Sequence, residues 1–317
     1  MRDGWNRMRD RWKSGAAVLS VVLVSVGVAG VCWGAQARQT PVPRSSAAKT
    51  DATKALADKP IPDLKTLMEQ VEAHQKELEA IRENYTYREE TVTETLNAHG
   101  KVTKTESELD EVFFVNGHEI DRVVEKNGKP LSGRDADKAQ ARVTKEVEKA
   151  QQTPPGQSMQ NPNQTITVGK MLEVMEVSNP RRVMYNGRST LEFDVVGRRD
   201  AKTHGVAEGA LKKIAGSIWI DEQDRQVAHL NVRFMDNFHV GGGLLANIAK
   251  GSEFRFDQGL VNGEIWLPMS SEGHLEGRAL MLMGFRLHIT VRDWDYKRFH
   301  VDAEQEKAAA QQPDQKH

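Results

Sequence analysis

Phe285, Leu287, Ile289 and Val291 alternate with Arg286, His288, Thr290 and Arg292 near the end of this 317-residue chain. Successive side chains of a strand point to opposite faces, so this pattern writes a strand with one dry face and one wet face. The same period recurs upstream. Ala228, Leu230, Val232 and Phe234 fall on one phase of residues 226–235, Phe254 and Phe256 on one phase of 253–260, and Leu191, Phe193 and Val195 on one phase of 190–196. Asn-Gly pairs at 116–117, 127–128, 186–187 and 262–263 separate strand-like runs and read as hairpin turns. After Val291 the inward phase breaks before Trp294 and Tyr296, which predicts a bulge or a strand leaving the shared core.

Helices are fewer. Asp63 can cap a helix running to about Asn84, with Leu64, Leu67, Met68, Val71, Leu78 and Ile81 near helical spacing. A second helix over 134–151 has only a thin stripe (Ala136, Ala139, Val143, Val147, Ala150), so it is expected on the surface or across an opening. A short helix is expected over 166–177, and a helical turn of apolar residues after the three glycines at 241–243. That glycine segment reads either as a loop with an apolar plug or as a flap over a cavity mouth. The fold class is therefore β-rich α+β: a curled antiparallel sheet, an unclosed half barrel, wrapped around or covered by a few helices.

The N-terminus carries a targeting pattern. Arg2, Arg7, Arg9, Arg11 and Lys13 precede an uncharged run over 14–37 that closes on Ala35-Gln36-Ala37. A basic start, an apolar stretch and a small-x-small site make a signal peptide of residues 1–37; the alternative is an N-terminal membrane anchor. Residues 38–62 are rich in Ala, Ser, Thr, Lys and Pro and read as a flexible linker, 63–302 as a single β-rich domain, and 303–317 as a disordered tail. The single cysteine, Cys32, lies within the signal segment. Removing that segment takes 44 basic and 45 acidic groups to 39 and 43, a net charge of −4, which argues against nucleic acid as a partner.

Chemistry is poorly marked. Gly-x-Ser-x-Gly, His-Glu-x-x-His, a phosphate loop and Gly-x-Gly-x-x-Gly are absent. The histidines show no metal-type spacing, and His229 and His288 fall on the polar phase of their strands, as solvated side chains would. Glu89, Glu90 and Glu94 read as a solvated face, and Asp221 as a turn residue accepting local backbone hydrogen bonds. These readings give no catalytic residue, no metal ligand and no cofactor.

Two segments resemble a known family. Ile218-Trp219-Ile220-Asp221, a turn and the strand from Gln226 are similar to a hairpin of outer-membrane lipoprotein carriers and lipoprotein-sorting relatives. Glu264-Ile265-Trp266-Leu267-Pro268 is similar to a strand near the end of those domains. The resemblance covers about residues 185–299. It implies an unclosed antiparallel barrel curled around helices, with an apolar cavity sheltering acyl chains. The charged front strands, the 134–151 helix and the tail depart from that pattern, as does the absence of a counterpart to the arginine with which some carriers latch a lid.

The function expected is that of an exported, non-enzymatic binding protein of the periplasm or outer-membrane periphery, taking a lipid, an acyl chain or a lipidated protein. Ile218, Leu230, Val232, Phe234, Phe254, Phe256, Phe285, Leu287 and Ile289 are the expected cavity lining. The alternative is a structural or protein-interaction module of the envelope with the same fold and a filled core.

Overall fold

A computed structural model describes residues 60–155, 157, 159, 168–243, 245–279 and 283–298. The expected signal segment and tail, and all but residues 60–62 of the expected linker, lie outside the described residues. Helix α1 (Leu64–Arg82) starts where Asp63 caps it: Asp63 Oδ2 accepts from the Thr66 amide at 3.0 Å and from the Thr66 hydroxyl at 3.2 Å. That satisfies one of the amides a helix start leaves open. Leu67, Met68, Val71 and Leu78 bury one side of it.

A meander follows: β1 (Tyr85–Leu96), β2 (Val102–Val115), β3 (His118–Lys126) and the two-residue β4 (Lys129–Pro130). After helix α2 (Gly133–Gln152) and the short α3 (Val168–Val174) come β5 (Met175–Tyr185) and β6 (Arg188–Gly197). Helix α4 (Gly205–Leu211), a turn the sequence reading did not include, leads to β7 (Ile214–Asp221) and β8 (Val227–Phe234). Short strands β9 (Phe238–Val240) and β10 (Ala246–Ile248) precede β11 (Glu253–Val261), β12 (Ile265–Ala279) and β13 (Met283–Arg298). At all four Asn-Gly pairs both residues hold positive φ, between 49° and 81°, the geometry of the two-residue turns that match strand twist.

These strands form one sheet of thirteen, in the order β4-β3-β2-β1-β13-β12-β11-β8-β7-β6-β5, with β10 pairing β12 and β9. The sheet is antiparallel throughout and does not close, because β4 and β5 are its two ends. It curls over the first, third and fourth helices. Leu67, Met68 and Val71 of α1, Met171 and Val174 of α3, and Ala207, Ala210 and Leu211 of α4 pack with Leu191, Phe193, Ile218, Ile220 and Phe256 of the sheet.

Several expectations change. Helix α2 takes the surface position expected for it, on the outer face of the sheet and not across an opening of the inner one. Its Val143 and Ala150 pack with Ile120, Phe113 and Val115, which alternate with the inward Val112 and Phe114 and so belong to the opposite face. The helix expected over 166–177 ends at Val174, because Met175 and Val177 pair with Gly197 and Val195; sheet pairing overrides helical spacing there. Residues 166 and 167 lie outside the described residues. Ala246–Ile248, after the glycines, form strand β10, not a helical turn; Leu244 lies outside the described residues. A bulge does interrupt the phase, but after Trp294 and not before it: Asp293 still faces inward and Trp294 outward, Arg88 pairs Trp294 and Thr86 pairs Lys297, with Asp295 between them at φ 61°. The extra residue turns Tyr296 inward, where its ring lies 5.4 Å from that of Tyr87.

Candidate ligand-binding face

Residues directly opposite one another in an antiparallel pair share a face. The register therefore locates all nine expected cavity residues. Ile218 pairs Leu230, Leu230 pairs Phe256, and Val232 pairs Phe254. Phe254 pairs Gly273, which pairs Ile289; Leu287 pairs Leu275 and Phe285 pairs Gly277. Phe234 stands two residues from Val232 on the same strand. All nine lie on the inner face that α1 covers.

The face has two halves. Ile218, Val232, Phe234 and Phe256 are buried beneath the helices, Phe256 to 1 % exposure. Leu230, Phe254, Phe285, Leu287, Ile289 and Val291 are only half-buried. The strand between the aromatic walls, β12, places Gly273 and Gly277 inward. A Cβ added at Gly277 would stand 2.6 Å from the Phe285 ring, and one at Gly273 would stand 3.9 Å from that of Phe254. The Phe285 ring thus lies over the space that a side chain at position 277 would fill, while position 273 leaves room beside Phe254. A separate cleft of about 390 Å³ is lined by Asn237, Asn247, Ala249, Glu276, Gly277 and Arg278; it is polar and includes none of the nine.

Towards β1 the inner face turns polar. Thr91 and Thr93 pair Val291 and Ile289, and the next row is acidic: Asp293, Glu89 and Asp110 lie side by side across β13, β1 and β2. Glu119 and Asp121 on β3 complete the cluster, with the Tyr87 hydroxyl donating to Glu119 at 3.2 Å. Asp110 and Asp293 are buried. Burial first, then the neighbouring carboxylates, push the carboxyls of Glu89 and Asp293 well above the ordinary range. Glu119 is raised by burial and Asp121 to about 7, against the opposing pull of Arg82. Glu89 is therefore not the solvated residue its charged strand suggested.

The opposite face carries polar networks that also correct the sequence reading. His229 Nδ1 lies 2.8 Å from Asp257 Oδ1 and 3.0 Å from the Tyr185 hydroxyl, Ser270 donates to Asp257 Oδ2 at 3.1 Å, and the Trp219 ring meets His229 edge-on. Burial would raise the Asp257 carboxyl, but the bonds from His229, Tyr185 and Ser270 outweigh it and hold the group below its ordinary range. All three partners converge on the carboxylate. His288 is held between Glu94 and Glu272, and His274 stacks on it. Burial lowers the affinity of His288 for a proton, yet its bonds to the two carboxylates prevail and leave it raised. Neither histidine is merely solvated.

Asp221 does accept the turn amides of Gln223 and Asp224, at 3.0 and 2.8 Å. It also holds Arg188 through two bonds of 2.6 and 2.9 Å. Arg188 continues to Asp224 at 2.7 Å and lies over the Trp266 ring, whose Nε1 donates to Asp224 at 2.8 Å. The two segments that carry the family resemblance thus meet in one network. Its hub, Arg188, was not among the residues the sequence singled out.

Among the described residues no helix is long and apolar enough to cross a membrane. No protein-family model and no curated protein matches this chain. Among solved structures, an outer-membrane lipoprotein-sorting protein domain from Vibrio parahaemolyticus is similar at 11 % identity and a TM-score of 0.32, over 73 % of this chain and 92 % of that one. A DUF1329 family protein from Desulfovibrio piger is similar at 8 % identity and a TM-score of 0.31, over 75 % and 94 %. MucB in complex with MucA(peri) is similar at 9 % identity and a TM-score of 0.21, over 73 % and 94 %. At these scores the functional reading has to rest on the chain's own geometry.

Proposed function

We propose that this chain is an exported, non-enzymatic binding protein of the cell envelope, and that the half-buried part of its inner sheet face takes up a lipid or acyl chain. One observation carries the reading: five of the nine predicted lining residues share the helix-covered face and remain only half-buried. Apolar surface left in contact with water forgoes about 25 cal/mol for each Å² not buried. A flexible hydrocarbon lying along Phe254, Phe285, Leu287 and Ile289 completes that burial without requiring a specific polar partner. Export is supported by the basic, apolar and small-x-small order of residues 1–37.

The test pairs two measurements on Phe285→Asn. At a ligand wall, the variant keeps its denaturation midpoint near that of the parent and loses affinity for a displaceable apolar dye. Native mass spectrometry of the gently purified parent then finds bound lipid. In a filled module, the same change destabilises by roughly 3 kcal/mol or more, through lost burial and an unsatisfied amide. That result, together with no dye binding by the parent, defeats the proposal and leaves an envelope interaction module.

A further inference from the structure

The outer face holds a cluster that apolar binding does not use. The β12–β13 hairpin sets His274 directly opposite His288, and the two rings stack at 4.3 Å with 12° between their planes. Glu272 stands two residues before His274 on the same face, and Glu94 is the partner of His288 across β1. One donor atom from each of Glu272, His274 and His288 lies within 4.8 Å of the other two. His288 uses its nitrogens separately: Nε2 is 3.0 Å from Glu272 Oε1, and Nδ1 is 2.9 Å from Glu94 Oε2.

We propose that Glu272, His274 and His288 bind a divalent transition-metal ion of the zinc type, with Glu94 as a positioning residue behind His288. Two imidazoles and a carboxylate form a donor set suited to zinc, copper or nickel; calcium and magnesium prefer oxygen alone. A ligating histidine usually donates its other N–H to a carboxylate, which fixes the tautomer. Glu94 stands where that acceptor is needed, so that an ion displacing the Nε2 proton meets that nitrogen's lone pair on the Glu272 side. Metal bonds of about 2.0–2.2 Å require the three donor atoms to draw together, to roughly 3.5 Å in a tetrahedral site. Side-chain rotation can supply this, because the backbone positions are already fixed as cross-strand neighbours. Arg255 Nη1 approaches Glu272 at Oε2, 3.7 Å away, and leaves Oε1 turned towards His288. His274 is exposed, so water can reach the ion and complete its shell, which makes this an open site. The sequence concealed the cluster because its histidines belong to different strands of a hairpin whose register sets the pairing.

The experiment is calorimetric titration of the full, untagged, chelator-treated chain with Zn²⁺ at pH 7.5. The expected result is one ion per chain, unaffected by a hundredfold excess of Mg²⁺. His274→Ala and His288→Ala weaken uptake at least tenfold, and Glu94→Gln weakens it by about 10- to 100-fold without removing a ligand. Visible absorption of the Co²⁺ form reports a low coordination number in the parent and loses intensity in His274→Ala. Melting curves check folding; should His288→Ala not fold, His274→Ala and Glu272→Gln decide. No Zn²⁺ uptake by the parent, or uptake unchanged in His274→Ala and Glu272→Gln, overturns the proposal and leaves His288 as an ion-paired histidine between two glutamates.

Discussion

Replacing Glu119 by Gln should make this protein more stable at neutral and alkaline pH. The carboxyl shares a half-buried pocket with Asp121, Glu89 and the Tyr87 hydroxyl, and burial and Asp121 raise it from the ordinary 4.5 to about 7. A group whose folded-state value is raised contributes stability that is complete below about 4.5 and is lost as the pH rises through about 7. At about 1.4 kcal/mol for each tenfold change in the proton equilibrium, ionising Glu119 in the folded chain costs up to about 3 kcal/mol. The replacement side chain carries no charge to desolvate, and its amide oxygen can still accept from Tyr87. The difference between Glu119→Gln and the parent is therefore about zero near pH 4.5 and grows to as much as about 3 kcal/mol above pH 8. Urea denaturation of both proteins at pH 4.5, 6.0, 7.5 and 8.5 measures it. Using the difference removes the contribution of distant titrating groups; Glu89 and Asp293, whose carboxyls the Glu119 charge helps to raise, are relieved by the same change and add in the same direction. A pH-independent difference, or a variant less stable than the parent at pH 8.5, would refute the argument that an unfavourable buried charge resides here.

Three further outcomes follow from local geometry. Gly216→Ala should be poorly tolerated, because the new Cβ would stand 1.9 Å from the Asn231 carbonyl oxygen and 2.7 Å from the Val232 Cα, both backbone; the expected loss is roughly 1–3 kcal/mol or more by thermal or urea denaturation, with a neutral result counting against that close approach. Asp221→Ala removes a carboxylate that is 1 % exposed, takes two of the bonds of Arg188 and leaves two turn amides without their acceptor; Arg188 keeps Asp224, so about 1–3 kcal/mol should be lost in urea denaturation. If the mature protein begins at Arg38, N-terminal sequencing of the envelope fraction finds that residue; a retained Met1 would favour an anchor instead.

The strands were legible because alternation is a local property. Leu230, Val232 and Phe234, or Phe285, Leu287 and Ile289, declare a dry side within a few residues, and Asn-Gly pairs declare the turns between them. Asp63 announced its cap for the same reason: the acceptor and the amide it serves are three residues apart. The phase of Tyr296 pointed to a bulge, although it lies after Trp294 and not before it. What stayed hidden depends on pairing across long stretches of chain. Strand β13 joins β1, so that His288 meets Glu94 across 194 positions. That join also aligns Glu89 with Asp293, and turns a strand that reads as solvated into one side of a buried acid cluster.

The same distinction explains the errors in the helices. A weak apolar stripe on α2 could not say which face of β2 and β3 it would cover, since both faces offer apolar side chains there: Val112 and Phe114 on one, Phe113 and Ile120 on the other. Met175 and Val177 suit either a helix or a strand, and the partner β6 decided between them. The amino-acid order by itself fixed the period, the turns and the apolar phase of the later strands, because these depend on neighbours in the chain. The tertiary structure alone decided which inward side chains remain half-exposed, which acids share a pocket and which histidines meet, because burial and charge interactions are set by distances that only the completed sheet defines.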